Sequence, residues 1–244
     1  MTMSTMRYLI LSAAILMTAC STPPISYSNN EESDLVVIIH GLTRSGRSMS
    51  ELNQGLLDAG YQTCVLDYSS VGVSMNELIA DTDKQIHQCT EEAKVVHLVG
   101  HSLGGLLIRY HLQADDSLEQ EGRLGRVIMI GTPNHGSEVA DHYSEKFWAI
   151  WFGEVPKSLT TNETGIAQNL NEPNYPVGVI AGTKTYRWTR ENFDKANDGL
   201  VSVDSAKIST MDAYWEVNLP HHQLRSDPKV IQQVVHYLKT GEFE

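Results

Sequence analysis

The stretch Val95-Val96-His97-Leu98-Val99-Gly100-His101-Ser102-Leu103-Gly104-Gly105 decides how the rest of the chain is read. Val95–Val99 is rich in β-branched residues, as expected of a strand buried in a parallel sheet. Gly100, Ser102 and Gly104 then spell G-x-S-x-G, and the amphipathic run Leu103–Gln113 follows. Small residues at 100 and 104 permit a turn that few side chains would tolerate. Such a turn lifts the Ser102 hydroxyl above the strand end, at the positive N-terminus of the next helix. A bare G-x-S-x-G arises by chance. Set between a strand and a helix, it marks a nucleophilic serine.

Outward from this turn, strands and helical stretches alternate. Leu35–Ile39 (LVVII) is a continuous apolar run leading into His40-Gly41. Ser48-Met49-Ser50-Glu51 and Ser74-Met75-Asn76-Glu77 both have capping-box spacing, predicting helices to about Gly60 and Glu92. Tyr61–Asp67, Val127–Ile130, Val177–Ala181 and Tyr214–Leu219 are further strand candidates, and Asp227-Pro228 opens a last helix through Lys239. The alternation predicts an α/β fold with a doubly wound, mostly parallel sheet. No internal repeat and no second domain is visible.

Asp141–Pro176 breaks this rhythm. It contains Phe147-Trp148-Ala149-Ile150-Trp151-Phe152, in a chain with only 7% aromatic residues. Two readings stand: a helix packed on the core, or a small lid whose apolar surface meets a substrate.

Composition bounds the partners. The 244 residues are 41% hydrophobic and 20% charged, an ordinary globular balance. Eighteen basic against 30 acidic residues leave a formal charge of −12 and a pI near 5.2, which repels phosphate backbones and argues against nucleic acid. The three cysteines, at 20, 64 and 89, contain no CxxC pair, so no cysteine metal cluster is expected.

The first residues read as a leader. Arg7 precedes an apolar run, Tyr8–Met17, too short to span a bilayer as a mature helix. It ends in Leu16-Met17-Thr18-Ala19-Cys20, which resembles a bacterial lipobox, with Met17 where that pattern usually has Leu. The resemblance implies cleavage before Cys20, acylation there and, because Ser21 rather than Asp follows, an outer-membrane lipoprotein facing the periplasm. A plain signal peptide cut near Ala19 is the simpler alternative. The expected organisation is thus a signal peptide (1–19), a lipid-anchored polar tether (20–34) and one catalytic domain (35–244). Cys64 and Cys89 are left as an even pair in an oxidising compartment, either disulfide-bonded or as separate buried thiols.

Four segments make the chain similar to the α/β-hydrolases, close to bacterial lipases and the PGAP1-like deacylases: His40-Gly41-Leu42, Gly100–Gly105, Gly131-Thr132-Pro133-Asn134-His135-Gly136-Ser137, and Asn197-Asp198-Gly199-Leu200-Val201-Ser202-Val203. Larger members carry two extra strands at the start. With fourteen residues between Cys20 and Leu35, this sheet is expected to have about six strands, none before Leu35. The family order is nucleophile, acid, histidine. Serine needs a base and the base an orienting acid. The loop aspartate pattern favours Asp198 as the acid, with Asp194 and Asp204 as alternatives and a purely turn-forming Asp198 as the bland one. His221 and His222 compete for the base. An apolar residue three positions on and a proline seven on are the family habit, and Leu224 and Pro228 fit His221. His40, His101 and His135 are expected near the site, as supporting or rim residues. The oxyanion donors implied are the backbone N–H groups of Leu42 and Leu103.

The expected function is hydrolysis of carboxylic esters, with an ester or lipid substrate and a membrane partner through the anchor. Thioester hydrolysis or acyl transfer would use the same triad. A catalytically silent envelope binding protein is the alternative from another class. No cofactor is called for, and no convincing set of calcium ligands is legible.

Overall fold

The computed structural model describes residues 24–27, 33–144 and 153–244; the expected leader, Cys20 and the Phe147–Phe152 cluster lie outside the described residues. Seven strands form a single sheet: β1 (Ile25–Tyr27), β2 (Leu35–Ile39), β3 (Gln62–Val65), β4 (Val96–His101), β5 (Leu124–Ile130), β6 (Val177–Gly182) and β7 (Ala213–Val217). Their order is β1-β3-β2-β4-β5-β6-β7. All neighbours run parallel except β1, which is antiparallel to β3. The sheet is doubly wound and mostly parallel, as expected.

The six parallel strands are those read from the sequence. β1 is a correction: the sheet does begin before Leu35, and residues 20–34 are not a free tether throughout. Its three residues pair with Thr63, Cys64 and Val65, covering backbone groups that an edge strand would otherwise leave unpaired.

The strands alternate sides with period two. Val37, Ile39 and Leu98 pack with Leu78 and Ile86 of α2 (Met75–Thr90) and Leu106 of α3 (Leu103–Ala114) on one face. Val36, Ile38 and Val99 pack with Leu52 and Leu56 of α1 (Ser50–Asp58) and Val230 and Val234 of α7 (Pro228–Thr240) on the other. Short helices α4 (Ser117–Gln120), α5 (Glu138–Ser144) and α6 (Val203–Ala206) lie in the connections. The capping box at Ser74 is formed, with Glu77 answering the Ser74 backbone. The one expected at Ser48 is not. Gly46–Met49 makes a 3-10 turn in which the Ser48 hydroxyl donates to the Ser45 carbonyl at 2.8 Å, and α1 starts only at Ser50. Cys64 on β3 and Cys89 on α2 form a disulfide, which decides between the two open readings.

The chain runs outward from β2 to β3, returns across β2 to β4, and then proceeds steadily to β7. The winding direction therefore reverses between β2 and β4. In open α/β sheets, the crevice beyond the carboxyl ends of such strands is where ligands bind. His40-Gly41-Leu42 leaves β2 there, and Ser102 follows β4.

Candidate active site

Ser102 is the N-cap of α3, with φ 57° and ψ −123°. Backbone strain of this kind costs of order 1–3 kcal/mol and persists where the surroundings hold it. What holds it is the packing of the motif glycines. A Cβ on Gly100 would lie 2.5 Å from the Gly104 carbonyl carbon, and one on Gly104 would lie 2.3 Å from the Ile39 carbonyl oxygen. The helix thus sits directly against the ends of β2 and β4. The Ser102 N–H donates to Ile130 at 2.8 Å, tying the turn to β5. Ser102 is 9% exposed, so the serine that the turn lifts above the strand end is largely enclosed.

Asp198 and His221 come together 23 residues apart in the chain. His221 Nδ1 lies 2.7 Å from Asp198 Oδ2, and both side chains are buried. Oδ1 of Asp198 meanwhile accepts the N–H groups of Leu200 at 2.9 Å and Val201 at 2.8 Å. The carboxylate is therefore fixed by its own turn while it orients the histidine, so its turn-forming role and its pairing are compatible. With Nδ1 donating to the carboxylate, Nε2 is left as the acceptor nitrogen. Gly131 has φ +56°, and a Cβ there would stand 3.2 Å from Asp198 Oδ2 and 3.3 Å from His221 Nδ1. Leu224, fully buried, packs against the same position.

Ser102 and His221 line one cavity of about 660 Å³, together with Leu42 and an apolar wall that includes Val139, Leu159 and Trp188. The Leu103 N–H belongs to the first turn of α3, whose donors have no carbonyl within the helix. Leu42 precedes Thr43, the only other described non-glycine residue at positive φ, 58°, whose N–H donates to Ser70 Oγ at 2.9 Å. The Leu42 turn is thereby held in one conformation.

The remaining candidates separate. Asp194 and Asp204 are exposed and line a different depression, and Asp204 pairs with Lys195. His135 lines that same depression, which leaves it the supporting place of the two expected for it. His222 is exposed; its Nδ1 accepts from the Tyr186 hydroxyl at 2.7 Å. His40 is buried and stacks on Tyr68 at 3.9 Å, and burial, above all, lowers its pKa. His101 is buried beneath the site, and burial followed by the nearby His221 pushes its pKa well below the usual histidine value.

Sequence reasoning missed the aromatic wall. Tyr186 stacks between His222 and Trp188, and Trp188, 62% exposed, stands edge-on to Tyr143. No motif announces this row, because Tyr143 meets Trp188 only through the fold. It also left the Gly131–Ser137 segment without a mechanism. Ser137 Oγ donates to the Leu200 carbonyl at 2.6 Å and Asn134 Nδ2 to that of Ala206 at 2.8 Å. These bonds strap the loop carrying Asp198 to the loop after β5.

A family profile described as alpha/beta hydrolase fold matches residues 34–167. A triacylglycerol lipase of Pseudomonas fragi is 30% identical over 155 residues, which are 59% of this chain and 50% of that protein; the chain thus matches about half the length of this relative. Among solved structures, the mature lipase BlEst2 of Bacillus licheniformis superposes with a TM-score of 0.68 at 19% identity, over 89% of this chain and 98% of that one. The esterase RhEst1 of Rhodococcus sp. gives 0.57 at 18% identity, over 87% and 93%.

Proposed function

Because the chain belongs to the alpha/beta hydrolase fold family, we propose that it is a serine hydrolase that cleaves carboxylic esters through an acyl-enzyme. The observation carrying this reading is the buried Asp198–His221 pair bordering the apolar cavity that also holds Ser102 on its strained turn. Likeness to a triacylglycerol lipase and to a lipase structure supports an ester of an apolar acyl chain. Within the family we place it among the compact lipases and PGAP1-like deacylases.

In the proposed reaction, Ser102 Oγ attacks the ester carbonyl carbon while its proton passes to His221 Nε2. Asp198 stabilises the imidazolium that forms and holds it in the working tautomer. The tetrahedral oxyanion takes the N–H groups of Leu42 and Leu103, each such donor being worth roughly 3 kcal/mol of barrier. Collapse breaks the C–O bond, and the leaving alcohol takes the proton from His221. Water then repeats the sequence, releasing the carboxylic acid and regenerating Ser102. The aromatic row Tyr143–Trp188–Tyr186 borders the cavity and offers a surface for the acyl chain.

We also propose export and lipid anchoring at Cys20. The Cys64–Cys89 disulfide supports this, since such bonds persist in oxidising compartments. Activity is tested with nitrophenyl esters of graded chain length and fluorophosphonate labelling: Ser102→Ala loses both, and a fully active alanine variant refutes the hydrolase reading. Anchoring is tested by palmitate incorporation, which Cys20→Ser abolishes. Wild-type protein wholly soluble with an unmodified Cys20 refutes the anchor and leaves the chemistry untouched.

A further inference from the structure

On the α2–α3 face, away from the cavity, two helices turn matched pairs of metal-ligating residues toward each other. Asp83 and His87 are four residues apart on α2. His111 and Asp115 are four residues apart at the end of α3, Asp115 being its C-cap. Residues at i and i+4 share one helix face, so α2 presents one imidazole and one carboxylate on a single side, while Asp115 leaves the end of α3 in an extended conformation beside His111. Packing brings the two sides together: His111 Nδ1 lies 2.6 Å from Asp83 Oδ1, His87 Nε2 lies 3.5 Å from Asp83 Oδ2, and His87 Nε2 lies 3.3 Å from Asp115 Oδ2.

We propose that Asp83, His87 and His111, with Asp115 as the fourth ligand, bind a divalent transition-metal ion, zinc by preference, that clamps α2 to α3. Ligand atoms from Asp83, His87 and His111 lie within 4.8 Å of one another. A tetrahedral zinc with bonds of about 2.0–2.1 Å needs ligand-to-ligand edges of about 3.3 Å. The His87–Asp83 and His87–Asp115 separations already have about that length; ligation requires that the Asp83 carboxylate turn from His111 toward the centre and that Asp115 close in on the other three ligands. Two imidazoles and two carboxylates balance a 2+ charge, and a nitrogen–oxygen set suits zinc over magnesium or calcium, which take oxygen ligands. The side chain of His111 is 4% exposed, which supplies a rigid inner wall. His87, half exposed, lies at the edge of two shallow depressions that give an ion its way in. Asp115 is oriented from behind, its Oδ1 accepting the Ser117 N–H at 2.8 Å. Two residues beyond His87, the Cys64–Cys89 disulfide ties the same helix to β3. The ion would supply the corresponding tie to α3, the helix that begins at the nucleophile turn.

The test uses the full chain, stripped with a chelator and titrated with zinc by calorimetry, with metal content measured after gel filtration and the melting temperature as a second readout. We expect one zinc per chain and a melting temperature raised by roughly 5–10 °C at a hundredfold excess over Kd. His87→Ala and Asp83→Asn, both at solvent-accessible positions, should fold, weaken zinc at least tenfold and lose the thermal shift. His111→Ala should do the same, but its burial makes it the less clean variant. Metal content below one tenth of an equivalent, or unchanged affinity in both His87→Ala and Asp83→Asn, overturns the proposal and leaves the cluster a hydrogen-bonded seam between two helices. Ester hydrolysis is not a readout here, so the outcome is independent of the proposed function.

Discussion

His101 Nε2 donates to the main-chain carbonyl of His221 at 3.1 Å, and the two rings stand 4.8 Å apart, tilted by 48°. The residue immediately before the proposed nucleophile therefore supports the backbone of the proposed base. One strand end positions both groups. Burial, and after it the neighbouring His221, push the His101 pKa well below the usual histidine value against the opposing pull of this hydrogen bond, so His101 adds no second positive charge beside the imidazolium that the mechanism forms on His221.

Acid should therefore destabilise the fold before it protonates the carboxylates. Burial, as the leading cause, lowers the pKa of His40, His97 and His101 below 6.5. Below pH 6.5 the unfolded chain takes up protons that the folded chain refuses. The stability these groups contribute is thus complete above that pH and lost as pH falls through 6.5 toward the lower folded values. Each can remove up to about 1.4 kcal/mol per pH unit. A melting series from pH 8 to pH 5 should be flat at first and fall below about 6.5; a flat profile down to pH 5 contradicts the argument.

The two adjacent histidines should behave differently. His221→Ala should lower kcat by roughly 10⁴–10⁶ through loss of the base. His222→Ala removes an exposed ring stacked on Tyr186 together with its hydrogen bond to the Tyr186 hydroxyl, and should change kcat less than tenfold. Asp198→Asn should keep the fold and lower kcat by roughly 10⁴, because the amide favours the wrong imidazole tautomer. Steady-state kinetics on one short ester separates all three.

The serine turn stores strain that glycine releases. At φ 57° and ψ −123°, Ser102→Gly should raise the melting temperature by about 2–6 °C while abolishing hydrolysis. Ser102→Ala keeps the Cβ and should leave the melting temperature within a degree or two. Equal stability of the two variants would mean that the turn carries no strain.

Reduction of the disulfide offers a separate check. Cys64 and Cys89 are 25 residues apart, and closing a loop of that size stabilises by roughly 3 kcal/mol through the unfolded chain. The Cys64→Ala/Cys89→Ala double variant should melt several degrees lower and keep its kcat. A large loss of kcat at unchanged stability would instead implicate α2 in the site.

Much of this architecture is legible in the chain because its signals are local. The turn at Ser102 is a five-residue pattern flanked by its own strand and helix. His221 is distinguished from His222 by Leu224, which packs against the Gly131 position, and by Pro228, which opens α7. What escaped depends on distant partners. β1 has three residues and exists through its pairing with β3; alone, Ser21–Asp34 reads only as polar chain. The Asp83–His87 and His111–Asp115 spacings are each unremarkable on a helix surface, and become a cluster only when α2 meets α3. The row of Tyr186, Trp188 and Tyr143 likewise joins the loop after β6 to α5.

The antiparallel pairing of β1 has a geometric consequence for the anchor. Ile25 pairs with Val65, at the carboxyl end of β3, so the chain enters the domain at the same end of the sheet as the cavity. Cys20 lies five residues earlier, a span of at most about 17 Å when fully extended. On the proposed acylation this is a short leash rather than a long one, leading to the cavity's end of the sheet instead of the opposite one. A domain held in that way cannot swing its mouth far from the bilayer. The lipid would then act as an orienting device, keeping the site turned toward substrates that lie in the membrane surface.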